Sequence, residues 1–179
     1  MAHAQLMTQM SPCSAPLPDL EVPMISTMVT CLGSEHRKLN YPIVRLALVA
    51  TRLPNDADAA TATKQALKAW DEIRHDLWSH LQVEEELVFS WGKAHHAISP
   101  TLLDTLKKER EEMRKLMATL HELSFGHELS SGKDCEPQTA EDRNSFAQTM
   151  SALAMTLDSH VERYEGEVLP SILRALFHK

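Results

Sequence analysis

Residues 70–91 read WDEIRHDLWSHLQVEEELVFSW and have an unusually regular apolar pattern. Its apolar residues recur every three or four positions, which is the spacing of one face of an α-helix. Two polar residues, His80 and Glu84, take consecutive places in that apolar seam, on one face and about 6 Å apart along the axis. Burying both without partners would be costly, so we expect a metal ion or an opposing charge beside them. The seam comprises Trp70, Ile73, Leu77, His80, Glu84, Leu87 and Trp91.

Two further predicted helices have seams that are interrupted in the same way. The first helix should run from about Pro23 to Leu53, with His36 in its seam and Pro42 expected to kink or divide it. The last helix should open at Thr139, where a capping-box-like pattern occurs, and its seam contains His160 and Tyr164. The apolar seam residues of the first helix are Val29, Leu32, Leu39, Ile43, Leu46, Ala50 and Leu53. Those of the last helix are Phe146, Met150, Leu153, Leu157, Val168 and Ile172.

The two middle helices complete the pattern. The one that contains residues 70–91 should extend from about Ala57 to Gly92, with Asp56 as its cap. The next should begin at Ser99-Pro100 and end near Ser124, before a loop of sequence FGHELSSGKDCEP at residues 125–137. Its apolar pattern lapses at Glu109 and Arg110. The seam residues of this helix are Leu102, Leu106, Met113, Leu116, Met117 and Leu120.

Four amphipathic helices with short connections predict an all-α protein, an up-down-up-down four-helix bundle over residues 22–179. Glycine is scarce, with 5 in 179 residues, and no useful length of strand-type alternation occurs. Residues 1–21 are rich in small residues and proline, so we expect a flexible N-terminal tail. The polar interruptions of the helices can meet at one level of the bundle, which is how such folds gather metal ligands in the core.

The overall charge limits the classes of partner. The net charge is −7 and no cluster of lysine or arginine occurs, which argues against nucleic acid and membrane surfaces as partners. The three cysteines, Cys13, Cys31 and Cys135, have no ligand-type spacing. An odd number of cysteines without a recognisable signal peptide favours a cytoplasmic protein.

The segments EHRKL, HLQVEEELVF and HVERYEGEVLP resemble the hemerythrin-like (HHE cation-binding) domain family, and the resemblance covers about residues 22–179. That family has a histidine on the first helix, H-x-x-x-E on the second, a histidine on the third and H-x-x-x-E on the fourth. The resemblance implies a non-haem di-iron site used for oxygen binding, for iron sensing, or for handling nitric oxide or peroxide. It makes His36, His80, Glu84 and His160 the metal ligands.

Two positions depart from the family pattern. Arg110, in KKEREEMRKL, stands where the third-helix histidine is expected, and Tyr164 stands where the last glutamate is expected. Glu165 has the spacing at which oxygen-carrying hemerythrins place a bridging aspartate. On an ideal helix, however, it lies about 140° round from His160, whereas Tyr164 lies only about 40° round. Tyr164, Glu165 and Glu109 are therefore the candidate additional oxygen ligands.

These departures leave two functions open. In the first, the protein binds two iron ions, or one ion in an altered site, with zinc as another candidate metal. Its partner is then a small diatomic or peroxide ligand, and any enzymatic activity would be metal-borne peroxide or nitric-oxide chemistry. In the second, Arg110 pairs with Glu84 or Glu109 in place of a metal. The protein is then a metal-depleted bundle for protein interaction or regulation, with a protein partner that the sequence does not identify.

Overall fold

The computed structural model describes residues 22–55, 57–128 and 139–177, which in these ranges form four helical rods. The first rod is α1 (Val22–Arg52). The second rod joins α2 (Ala59–Val83), a π-helical segment (Glu84–Phe89) and the short α3 (Ser90–Ala94). The third rod is α4 (Pro100–Glu128). The fourth joins α5 (Ala140–Arg163), a second π-helical segment (Tyr164–Val168) and α6 (Leu169–Phe177).

The rods pack as a four-helix bundle, which confirms the predicted all-α class. α1 packs against α2 and α5, and α4 packs against the same two helices. Short connections reverse the chain between the first and second rods and between the second and third. None of the helices in the described ranges is both long and apolar enough to span a membrane.

Side-chain caps mark the starts of α2 and α5. The Oδ1 atom of Asp58 accepts a hydrogen bond from the Thr61 N–H at 3.1 Å, so Asp58 caps α2. The predicted cap, Asp56, lies outside the described residues. The predicted capping box of α5 is confirmed, with the Asp142 N–H donating to the Thr139 hydroxyl oxygen at 3.1 Å.

Two predicted helix boundaries change. α1 runs through Pro42 as one helix, so of the two expected outcomes, a kink or a division, the division is wrong: proline deletes one N–H donor without ending the helix. α4 continues to Glu128, so the predicted loop is helical over its first four residues. The predicted tail, residues 1–21 with Cys13, and residues 129–138 with Cys135, lie outside the described ranges, while Cys31 is exposed.

The core consists of two apolar clusters with a layer of polar side chains between them. On α1, His36 separates Leu32, in the smaller cluster, from Leu39, in the larger one. On the fourth rod, His160 lies between Leu157 of the larger cluster and Tyr164 of the smaller one. The polar layer is therefore closed off above and below by apolar side chains.

Candidate metal centre

Four predicted ligands meet in the polar layer. His36 comes from α1, His80 from α2, Glu84 from the first π-helical segment and His160 from α5, and each is at most 5% exposed. One ligand atom from each of His36, Glu84 and His160 lies within 4.8 Å of the other two. His80 adjoins this group because its Nε2 atom is 2.8 Å from Nε2 of His36. These residues are far apart in sequence, so the fold itself assembles the cluster.

The separations of the ligand atoms fit a metal ion. Nε2 of His160 lies 3.0 Å from Oε2 of Glu84, close to the 2.8 Å between the two Nε2 atoms of His36 and His80. Two ligands about 2.1 Å from one ion and at right angles to each other are about 3.0 Å apart. The other carboxylate oxygen of Glu84, Oε1, is buried and has no hydrogen-bond partner among the described residues. The side chains present therefore suit a cation, although the same distances also serve as hydrogen bonds in the metal-free protein.

Burial and mutual charge set the protonation of the cluster. Burial, followed by repulsion from His80, lowers the pKa of His36 to about 4. Burial also acts to lower the pKa of His160, but the carboxylates of Glu84 and Glu109 outweigh it and raise that pKa to about 9. Burial opposes ionisation of Glu84, yet the facing His160 holds the pKa of this carboxyl below its usual range. Without metal, the site thus contains a neutral His36 beside a His160–Glu84 ion pair.

Both π-helical segments begin at the residue four positions after a site histidine. Glu84 follows His80 and Tyr164 follows His160 at this spacing, and both are buried. A π-helical turn is wider than an α-helical one and frequently occurs at functional sites. The wider turn also shifts the seam of the second rod, where Val88 is buried while the predicted Leu87 is only partly so.

Tyr164 lines the cluster as a neutral phenol. Its ring contacts the His36 ring edge-on, with 4.4 Å between the ring centroids, and the residue is fully buried. Burial, together with the negative charge of Glu84, raises the pKa of Tyr164 well above its ordinary value. Its hydroxyl has no hydrogen-bond partner within the described part of the chain.

The remaining candidate oxygens, those of Glu109 and Glu165, are not in the group of ligand atoms formed by His36, Glu84 and His160. Oε2 of Glu109 is 3.6 Å from Nδ1 of His160, and Arg163 holds the other oxygen of that carboxylate at 2.7 Å. Glu84 contacts Nε2 of the His160 ring, whereas Glu109 lies at the opposite edge of that ring, beside Nδ1. Glu165 is exposed, as its angle on the helix predicts, so the structure places it outside the site.

Comparison with known proteins agrees with this geometry. The family model of the hemerythrin HHE cation binding domain matches residues 27–172. The chain belongs to this family. A hemerythrin domain implies binding of a metal ion, typically iron. Searches against curated proteins and against solved structures gave no match.

Arg110 departs from the hemerythrin pattern, and the structure shows what it contacts. It is 1% exposed, and its Nη2 donates hydrogen bonds at 2.6 Å to the Leu81 carbonyl oxygen and to Oε2 of Glu85. Its guanidinium lies 5.5 Å from the centroid of the Phe89 ring. The predicted pairing with Glu84 or Glu109 is therefore wrong, because the Arg110 guanidinium is paired with Glu85. Glu84 contacts His160 instead.

Glu35 is a site neighbour of this hemerythrin domain that the periodicity analysis missed. Its Oε2 lies 2.9 Å from Nδ1 of His80, although the side chain is 49% exposed. Helical periodicity assigns such a residue to the solvent face and contains no signal for a contact with another helix. Its position directly before His36 is the only clue in the sequence.

Proposed function

We propose that the protein binds one iron ion between its helices through His36, His80, Glu84 and His160, and that a small ligand such as O2, nitric oxide or peroxide binds at that ion. The observation that carries the proposal is the buried group of His36, Glu84 and His160, whose ligand atoms lie within 4.8 Å of one another in a hemerythrin domain. Imidazoles combined with a carboxylate suit iron. Iron bound there would supply a Lewis acid with a coordination position left for the small ligand.

The surrounding residues support this role by charge and by exclusion of water. Glu84 supplies a buried negative charge, and its contact with Nε2 of His160 marks the atoms that would face the ion. A proton on His160 must leave before its Nε2 can bind metal. The apolar clusters on both sides of the polar layer keep solvent from the ion, which favours binding of an apolar diatomic molecule.

A single ion is favoured over two because the ligands of a second ion are missing. The third rod provides Arg110 in place of a histidine, and its permanent positive charge repels a nearby cation. The Arg110 guanidinium donates hydrogen bonds to Leu81 and Glu85 and has no acceptor atom, so it does not act as a ligand. Glu165, the candidate bridging carboxylate, is exposed.

A metal-free bundle for protein interaction or regulation is the second candidate. The observation that favours it is the 3.0 Å contact between His160 and Glu84, in which two buried opposite charges pair without a metal ion. Such a protein would retain the hemerythrin fold after losing its iron. The two candidates differ in metal content, which is directly measurable.

The test is elemental analysis, with an absorption spectrum, of the full-length protein as purified and after anaerobic reconstitution with iron. We expect about one iron per chain in the wild type and a loss of at least tenfold in occupancy for His80→Ala and Glu84→Gln. The matched control is His75→Gln, because His75 is exposed on the same helix as His80 and should leave iron content unchanged. No iron in the reconstituted wild type would overturn the proposal in favour of the metal-free bundle, and two irons would overturn the single site.

A further inference from the structure

Two consecutive residues of α1 contact both ring nitrogens of one histidine. Oε2 of Glu35 is 2.9 Å from Nδ1 of His80, and Nε2 of His36 is 2.8 Å from Nε2 of the same ring. The His80 side chain is 4% exposed, whereas that of Glu35 is 49% exposed. Glu35 therefore reaches inward from the surface to the outer edge of a buried ring.

The chemistry of the two groups determines where the ring proton lies. A carboxylate has only acceptor atoms, so Nδ1 of His80 must be the donor in this contact. A neutral imidazole has one N–H, and a proton on Nδ1 leaves the lone pair on Nε2. Nε2 is the atom that faces His36, so this tautomer directs the lone pair of His80 into the polar layer.

We propose that Glu35 is a positioning residue for His80: its carboxylate holds the Nδ1 proton and keeps the Nε2 lone pair directed at the metal site. The metal in this statement rests on the proposed function, but the tautomer of the ring is a property of the metal-free protein. Carboxylates that accept from the outer nitrogen of a ligand histidine fix its orientation and raise its basicity.

Other carboxylates beside this ring do not have the same contact. The groove between α1 and α2 is lined by Glu35, Glu72 and Asp76 together with His80. Glu72 is paired with Arg45. Asp76 is exposed and carries the same charge as Glu35 at the same groove. Removing the Asp76 carboxylate therefore separates the effect of the Glu35–His80 contact from a general attraction between cations and an acidic groove.

The test compares Glu35→Ala, Glu35→Gln and the control Asp76→Ala in the full-length protein. The first measurement is nitrogen-15 NMR of the histidine rings in metal-free protein, recorded over a series of pH values. We expect the Nδ1–H form of His80 in the wild type, in Asp76→Ala and in Glu35→Gln, whose amide oxygen still accepts the hydrogen bond. Glu35→Ala should give a mixture of both tautomers.

The second measurement is the dissociation constant for Co²⁺, used as a spectroscopic probe. Glu35→Ala should weaken binding by about 10- to 100-fold, while Glu35→Gln and Asp76→Ala should change it by less than about threefold. An unchanged His80 tautomer in Glu35→Ala, or an equal loss of affinity in Asp76→Ala, would overturn the inference. If the wild type binds neither iron nor Co²⁺, the proposed function fails, and the NMR result still decides the role of Glu35.

Discussion

His160 lies between two carboxylates, and this placement determines the charge of the metal-free site. Nε2 faces Glu84 at 3.0 Å and Nδ1 faces Glu109 at 3.6 Å, so a protonated ring interacts with a negative charge on each side. Arg163 holds Glu109 from the surface side and fixes that carboxylate in place. A metal ion must therefore compete with a proton for His160, while His36 is already neutral at physiological pH.

The pKa of His160 predicts how the stability of metal-free protein depends on pH. The folded value of about 9 is above the ordinary value of 6.5, so between these limits the folded state retains a proton that the unfolded state has lost. The stabilisation is complete below pH 6.5 and is lost as the pH rises through 9. With chelator present, we expect the free energy of unfolding to fall over this range by at most about 1.4 kcal/mol per pH unit.

Urea denaturation at several pH values measures how the free energy of unfolding of the metal-free protein depends on pH. His160→Gln should remove the decrease between pH 6.5 and 9, since glutamine does not titrate. His75→Gln, at an exposed position, should retain it. A wild type whose stability is flat over this range would show that His160 is not held as a cation.

Among the elements, α4 is joined to the π-helical segment of the second rod by a pair of arginines on one carboxylate. Arg110 and Arg114 both donate to Oε2 of Glu85, at 2.6 and 2.7 Å. Glu85 directly follows Glu84, so this connection fixes the segment that presents the candidate ligand carboxylate of Glu84. The two arginines differ in burial, with side-chain exposures of 2% and 39%.

Removing each arginine should therefore have a different effect on stability. Arg110→Ala deletes a buried side chain and a hydrogen bond to the Leu81 carbonyl, so we expect a loss of about 2–4 kcal/mol. Arg114→Ala deletes a solvent-screened partner of the same carboxylate, so we expect a loss of less than about 1 kcal/mol. Chemical denaturation of the two variants measures both, and equal losses would contradict a special role for burial of Arg110.

The same elements show how far sequence reasoning reaches. Each residue that helical spacing predicts for the seam of the fourth rod, from Phe146 to Ile172, is buried, but Ala147, Ala154 and Val161 are buried beside it without being predicted. The second rod departs from its predicted seam just after Glu84, at Leu87, because the π-helical turn changes a spacing that the prediction takes as α-helical throughout. Glu35 was missed and the partner of Arg110 was assigned wrongly, since contacts between helices depend on rotation and register that one helix does not determine.

Across the bundle, the candidate metal site connects rods that also have apolar contacts of their own. Its candidate ligands come from the first, second and fourth rods, while the third contributes Glu109 behind His160. Above and below the polar layer lie the two apolar clusters, which contain most of the fully buried side chains. The bundle should therefore fold without metal, and a bound ion should add to its stability.

Thermal unfolding measures the stability that a bound metal ion adds to the bundle. An ion that binds only the folded state at about 100 times its dissociation constant stabilises by about 2.7 kcal/mol, which is roughly 5–10 °C in Tm for a chain of this size. We expect this increase when Fe²⁺ is added anaerobically to metal-free wild type and to His75→Gln, and its absence in Glu84→Gln. Glu84→Gln retains the shape of the side chain but removes the buried negative charge that offsets the cation. An equal increase in Glu84→Gln would place the stabilising ion elsewhere on this acidic protein, whereas no increase in the wild type would favour the metal-free bundle.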